Sequence, residues 1–308
     1  MLGYAVRRLL LLVPVFFAVS AVVFLVIHLV PGDPIDNLVR IGSTPEQKAK
    51  LVAKYGLDRS LVEQYLIWMS GMFRGDLGSA IVLRRPVADL MVQNLPYSLW
   101  LGVLALLFST VAGVTTGVIA ASFRDSRLDH GIMGFVLLGS TVPGFWLGLL
   151  LMLLFAVMLG WLPVSGARSW ESLVLPVVTI GLGGTALVAR VTRVAMLETA
   201  SKDFVLLLHA KGLSRWTIQV RHILHHALLP VVTILGLRIG WILGGAVTIE
   251  FVFARPGLGT LLIKALGQRD YPVVQGCLLM LAMAVMLGTL LADLLQAAMD
   301  PRVREQQR

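Results

Sequence analysis

A single cysteine, Cys277, stands in 308 residues, which excludes a disulfide framework and a cysteine metal site. Charge is nearly as scarce. Asp, Glu, Lys and Arg make up 14% of the chain, where soluble domains carry about a quarter. None of the six lysines precedes Ser or Thr; the following residues are Ala, Leu, Tyr, Asp, Gly and Ala. There is thus no GxxxxGK[ST] loop, and the chain cannot bind ATP in the ordinary way. An HExxH motif and a pair of mid-membrane aspartates are also missing, which removes metalloprotease and intramembrane-protease chemistry. The chain does not read as an enzyme.

What is there is apolar. Hydrophobic residues are 57% of the sequence. Residues 9–30, 96–123, 131–167, 172–189 and 272–292 contain no Asp, Glu, Lys or Arg, and 227–249 is broken only by Arg238. Each run reaches or approaches the ~20 residues that cross ~30 Å of hydrocarbon. The pattern predicts an all-α membrane protein with six spans at about 9–30, 98–121, 133–159, 173–193, 228–249 and 274–297. The 131–167 run exceeds one upright helix, and Pro143-Gly144 and Trp161-Leu-Pro163 punctuate it. Arg7 and Arg8 lead into an uncleaved signal-anchor helix. An even number of spans puts both termini on one side. That side carries Arg7/Arg8, Arg124/Arg127, the 190–226 loop and Arg302/Arg304/Arg308. By the positive-inside rule it is cytoplasmic. The net charge of +9 is explained this way, without nucleic acid.

Residues 31–95 form a long external segment with helix signals of its own. Thr44-Pro45-Glu46-Gln47 opens one helix that Gly56 stops, and Ser60-Leu-Val-Glu63 opens a second running to about Phe73. A third is expected from Pro86. On the opposite side, residues 210–230 form a basic island, AKGLSRWTIQVRHILHHALLP. Ser214 caps a helix with an apolar stripe of Trp216, Val220, Ile223, Leu224 and Ala227. Upstream, Leu197, Phe204 and Leu208 make a second stripe, with Gly212 as the turn. Two readings stand on physics alone: a helix lying on anionic lipid, or a helical pair fitting a groove on a soluble partner. His222, His225 and His226 have helical spacing, but no carboxylate or cysteine completes a metal set.

Within the fifth span, Gly236, Gly240 and Gly244 offer a seam for close helix packing. Arg238 sits ~200° from Gly236 at ~100° per residue. A charge at that depth must face water, a partner charge such as Asp293, or a substrate. An ion-coupled secondary transporter would need further ionisable groups at the midplane, and the spans supply little else.

The ordered motifs carry a resemblance. RRLLLLVPV (7–15), HLVPGDP (28–34), GDLGSAIVLRRPVADLMVQNLPYSLWLG (75–102), VPGFWLGLLLMLLF (142–155) and GWLPVSG (160–166) are followed by AKGLS (210–214) and HALLPVVT (226–233). EFVFARPGLG (250–259), RDYPVVQG (269–276) and DPR (300–302) complete them. Together they resemble the B-type permease of dipeptide and oligopeptide ABC importers, in the peptide/nickel importer family. His209 and His225-His226 depart from its usual loop.

The resemblance implies a type I ABC-importer permease fold. Its parts are an N-terminal helix (1–30), an extracytoplasmic helical subdomain (31–95), a five-helix core (96–298) with a cytoplasmic coupling loop (197–228), and a tail (299–308). It implies that Ala210, Lys211, Gly212, Leu213, Ser214 and Arg215 couple to ATPase subunits. Arg84 and Arg85 are expected at a docking surface for the external binding protein, and Arg238 in the translocation path. The partners implied are a second, C-type permease, two cytoplasmic ATPases that hold ATP and Mg, and the binding protein. The chain itself would hold no cofactor or metal. The expected location is a bacterial inner membrane and the expected cargo a di- or oligopeptide. Nickel chelates, haem and glutathione are the alternatives within the family.

Overall fold

Helix accounts for most of the computed structural model, which describes residues 2–29, 46, 52 and 58–299. The helix expected at 44–56, the HLVPGDP motif beyond Leu29 and the terminal DPR lie outside those residues. The helices are α1 (Leu2–Leu29), α2 (Leu61–Phe73), α3 (Val87–Ser122), α4 (Arg127–Thr141), α5 (Gly144–Leu151), α6 (Glu171–Ala200), α7 (Asp203–Ala210), α8 (Leu224–Val252), α9 (Leu258–Gly267) and α10 (Tyr271–Met299). A π-helical stretch, Met152–Met158, extends α5. Another, Ile218–Ile223, joins the short turn Arg215–Thr217 to α8 without a break.

Among the described residues five helices are long and apolar enough to cross a membrane, or six if one bent pair counts as a single span. The span expected at 133–159 falls on this pair, broken at the expected Pro143-Gly144 punctuation. Arg127–Thr141 and Gly144–Met158 meet at 106°. Pro143 has no N–H to continue the ladder, and Val142 before it is held extended at φ −78°, ψ 128°. The third external helix expected at Pro86 is also revised. It begins at Val87 as expected, yet runs on as α3 for 36 residues. At ~1.5 Å per residue that is about 54 Å, well beyond the hydrocarbon thickness.

The chain divides into two compact units. One comprises Met1–Val6, Leu99–Arg255 and Val285–Arg308. Within it glycines bring α3 and α6 close together. A methyl group on Gly113 would fall 2.5 Å from Val188 Cβ, and one on Gly117 would fall 2.6 Å from the Ala189 carbonyl. From α6, Gly181 and Gly184 return the fit, against Phe108 and Ser109. Lipid gives helices no hydrophobic reason to associate, so this approach of backbones supplies the attraction. Thr179, Thr185 and Thr192 donate their hydroxyls to carbonyls four residues back, which keeps the seam free of unmet polar groups.

An ion pair ties α4 to α6. Arg193 Nε and Nη2 donate to Asp129 Oδ1 and Oδ2 at 2.7 and 2.6 Å, and Asp129 is 1% exposed. Asp129 also accepts from the Asp125 amide, inside a turn capped by Ser126. On α8, Gly236 packs on Ala292 of α10, while a methyl added at Gly244 would meet nothing within 4 Å. The seam expected along α8 therefore makes contact at Gly236 and not at Gly244.

The other unit comprises Arg7–Ser98 and Pro256–Ala284. The capping box expected at Ser60 forms: Glu63 N–H donates to Ser60 Oγ at 3.3 Å, and Ser60 N–H to Glu63 Oε2 at 3.1 Å. The helix so started docks on α1. Tyr65 and Trp68 pack on Phe24, and Tyr65 and Ser20 hydroxyls meet at 2.8 Å. Elsewhere in this unit α9 starts under α3, where Leu258 N–H donates to Ser98 Oγ at 2.9 Å.

The α3–α6 seam generates the first prediction. Gly117→Ala should destabilise the detergent-purified protein by roughly 2–3 kcal/mol, since the methyl has nowhere to go but into the Ala189 backbone. Gly183→Ala, on the same α6 with nothing within 4 Å, should leave thermal stability unchanged or slightly raised. Similar melting curves for the two variants would refute the seam.

Candidate coupling, docking and translocation sites

The coupling residues expected from the sequence are consecutive on one surface knob. α7 ends at Ala210 in a Schellman motif: Gly212 N–H donates to His209 O at 2.9 Å and Leu213 N–H to Leu208 O at 3.4 Å. Gly212 takes φ +77°, the left-handed conformation that glycine adopts freely. The chain then reverses at Ser214, whose hydroxyl accepts the Thr217 N–H at 3.2 Å and caps the next helix. Ala210, Lys211, Gly212, Leu213, Ser214 and Arg215 are all exposed. Three large apolar side chains surround them in the open: Leu206, Leu207 and Trp216 are 74%, 57% and 66% exposed.

Beneath the knob lies a small core. Val205, Ile218, Ile223 and Ala227 are buried with Val118 of α3 and with Ala195 and Met196 of α6. Phe204, Leu208 and Leu224 pack against it as the sequence suggests, but two members of the expected stripe do not. Trp216 and Val220 are exposed, and Ile218, absent from that stripe, is 1% exposed. The π-helical stretch explains this. Its i→i+5 bonding shifts the register between Trp216 and Ile223, so a 3.6-residue period cannot run through both. Ser122 adds a polar tie, donating to Gln219 Oε1 at 2.9 Å.

Among the described residues no group of three or more His, Cys, Asp or Glu is placed to hold a metal. Of the three histidines, His226 sits edge-on to Phe204 at 5.3 Å and to His225 at 5.6 Å.

Arg84 and Arg85 occupy a tight turn that sequence reasoning did not anticipate. Ser79 and Pro86 bridge, Ala80 N–H donates to Arg85 O at 2.8 Å, and Val87 N–H to Gly78 O at 2.9 Å. Arg84 itself has φ +52°. Asp270, 1% exposed, holds the turn from below through the amides of Ile81 and Val82, at 3.0 and 2.8 Å. Amide bonds to a carboxylate are about twice as strong as neutral ones. Both arginines are exposed on this clamped turn. Asp270 and the Asp129–Arg193 pair were both missed, because their partners lie 189 and 64 residues away.

Arg238 is half-buried in the middle of α8. Its guanidinium lies where a methyl on Gly184 would fall 2.9 Å from Nη1, beside Ser109. It is not joined to Asp293, the structural partner considered for it.

Residues 113–305 match the family described as "Binding-protein-dependent transport system inner membrane component", and residues 1–86 match its N-terminal membrane component. The glutathione transport system permease protein GsiC of Escherichia coli strain K12 is 39% identical over 99% of both chains. GsiC of Shigella flexneri serotype 5b is equally similar, at 39% over the same share. Among solved structures, the MetNI methionine ABC transporter in inward-facing conformations, in its native CY5 crystal form, has a TM-score of 0.59 at 20% identity. It covers 68% of this chain and 96% of that chain. That likeness is one of fold.

The clamp generates the second prediction. Trypsin should cut slowly at Arg84 in the folded wild type, since the turn is pinned. In Asp270→Ala, with the amides of Ile81 and Val82 released, cleavage there should accelerate by about tenfold or more, the worth of one to two charge-assisted bonds. Peptide mass spectrometry reads the site directly. Equal rates would show that Asp270 does not hold the turn.

Proposed function

We propose that short peptides, glutathione among them, are the cargo of this chain, which belongs to the family of binding-protein-dependent transport inner-membrane components and is the permease subunit of an ABC importer. It is a multi-pass inner-membrane protein, and ATP hydrolysis belongs to separate ATPase subunits. The observation that carries the cargo reading is the 39% identity to glutathione permeases over nearly the whole chain. Glutathione is one of the alternatives named beside the di- and oligopeptide expectation, and both are taken as cargo because glutathione is itself a tripeptide. Membership of the family removes the ion-coupled carrier considered from sequence.

The assembly proposed is one copy of this chain, a second homologous permease, two ATPases and an external binding protein. Both termini and the 197–228 region are assigned to the cytoplasm. The exposed Ala210–Arg215 knob with its Leu206, Leu207 and Trp216 rim suits a groove on an ATPase better than a lipid surface. It projects as a compact corner, whereas an interfacial helix would lay one long apolar face flat. The core beneath joins the knob to α3 and α6, so a push on it is passed to the spans as rigid-body motion. The clamped Arg84/Arg85 turn is assigned to binding-protein docking. ATP and Mg are held by the ATPases, and this chain holds no cofactor.

Two measurements test this. Proteoliposomes holding the complete system should accumulate labelled glutathione and short peptides, each competing with the other. Uptake confined to a nickel chelate or haem would overturn the cargo reading. For coupling, Gly212→Val should be separable from Gly212→Asn. Space is open around Gly212, so the substitution acts through φ +77° alone. A left-handed β-branched residue costs about 1–2 kcal/mol, while Asn adopts that conformation routinely. The Val variant should lose binding-protein-stimulated ATPase activity with the complex intact, and the Asn variant should keep most of it. Wild-type stimulation in the Val variant would refute the role of the turn.

A further inference from the structure

Arg238 is a charged group in the middle of the apolar helix α8 with no neutralising partner among the described residues. No hydrogen bond or ion pair joins it to any other described residue. Nearby hydroxyls are committed to their own helices: Ser109 donates to Leu106 O at 2.9 Å and Thr185 to Gly181 O at 3.0 Å. Yet the site accommodates the side chain. Gly184 leaves room for the guanidinium, which any larger residue would displace. Packing that admits a charge and then gives it no counter-charge implies an anion from elsewhere.

Depth excludes lipid phosphate. Arg238 is the fifteenth of the 29 residues of α8, Gly184 the fourteenth of the 30 of α6, and Ser109 lies midway along the charge-free run 96–123 of α3. Headgroups are half the hydrocarbon thickness away, about 15 Å, farther than an arginine reaches. Two anions remain: a carboxylate of the cargo, or an acidic side chain of the second permease. The geometry of α8 favours the first. From Arg215 to Val252 the chain is one continuous helical rod, with the Ser214-capped knob at one end and Arg238 near its middle. The face of α8 at Gly236 is sealed against Ala292 of α10, whereas Arg238 points to another side, where it stays half-exposed. A charge mounted on the rod that carries the coupling turn can hold an anion in one state and release it in another. A fixed subunit contact has no need of that mounting.

We propose that Arg238 is a transient binding site for a carboxylate of the transported peptide, midway across the membrane. The guanidinium suits it, offering a planar fork of donors to two carboxylate oxygens. The proposal rests on the peptide-class cargo above. Its test uses the complete complex in proteoliposomes, with labelled glutathione and a labelled dipeptide delivered by saturating binding protein. Arg238→Gln should lower maximal uptake of both by about tenfold or more, the worth of one charge-assisted contact. Arg238→Lys should recover to within about threefold, since the charge remains but the fork is lost. Both variants should co-purify with the second permease and the ATPases. Undiminished uptake by the Gln variant overturns the proposal and leaves the cargo reading standing. Loss of the second permease from that variant also overturns it, assigning Arg238 to a carboxylate between subunits. If the wild type carries neither substrate, the cargo reading fails first and this site with it.

Discussion

The tightest backbone approach in the first unit is the glycine-lined contact of α3 and α6, and close approach of this kind is what holds helices together in lipid. In water such helices would be driven together by burying apolar surface, but between lipid tails that force vanishes. What remains is dispersion between closely fitted atoms, and it falls steeply with distance. Gly113 and Gly117 on one helix, and Gly181 and Gly184 on the other, remove the side chains that would hold the backbones apart. The same crossing supplies the wall against which Arg238 rests. Stability and the environment of the buried charge thus share one set of small residues.

From that crossing a mechanical route leads to the knob. The core of Val118, Ala195, Met196, Ile218 and Ile223 joins α3, α6 and the start of the α8 rod into one packed body. The Asp129–Arg193 pair fastens α4 to it, with Asp129 almost wholly withdrawn from solvent. Packed interiors resist compression and move as blocks. Leu206, Leu207 and Trp216 therefore stand on packed helices, not on a loose loop. The backbone ladder breaks elsewhere, at the 106° bend between α4 and α5, where Pro143 interrupts it.

Features that depend on neighbouring residues were legible in the sequence. The Ser60–Glu63 capping box, the Gly212 turn, the Ser214 cap and the break at Pro143 all follow from atoms a few bonds apart, and each stands where local chemistry put it. The apolar stripe after Ser214 failed for a related reason. It assumed one helical period, and a π-helical stretch inserts an extra residue that no local pattern announces. The glycine seam was expected on α8, where a regular four-residue spacing drew attention. The closer seam is shared between α3 and α6, whose glycines answer side chains on a different helix.

By itself the sequence determined the class of molecule: a helical, charge-poor, polytopic membrane protein without a GxxxxGK[ST] loop and with one basic corner. Those properties follow from transfer free energy and short-range stereochemistry, which need no knowledge of neighbours. Only the tertiary structure decided that Asp270 clamps the Arg84–Arg85 turn, that Asp129 pairs with Arg193, and that Arg238 rests on Gly184 without Asp293. Each of these joins residues far apart in the chain, and which distant partners meet is set by how the helices pack.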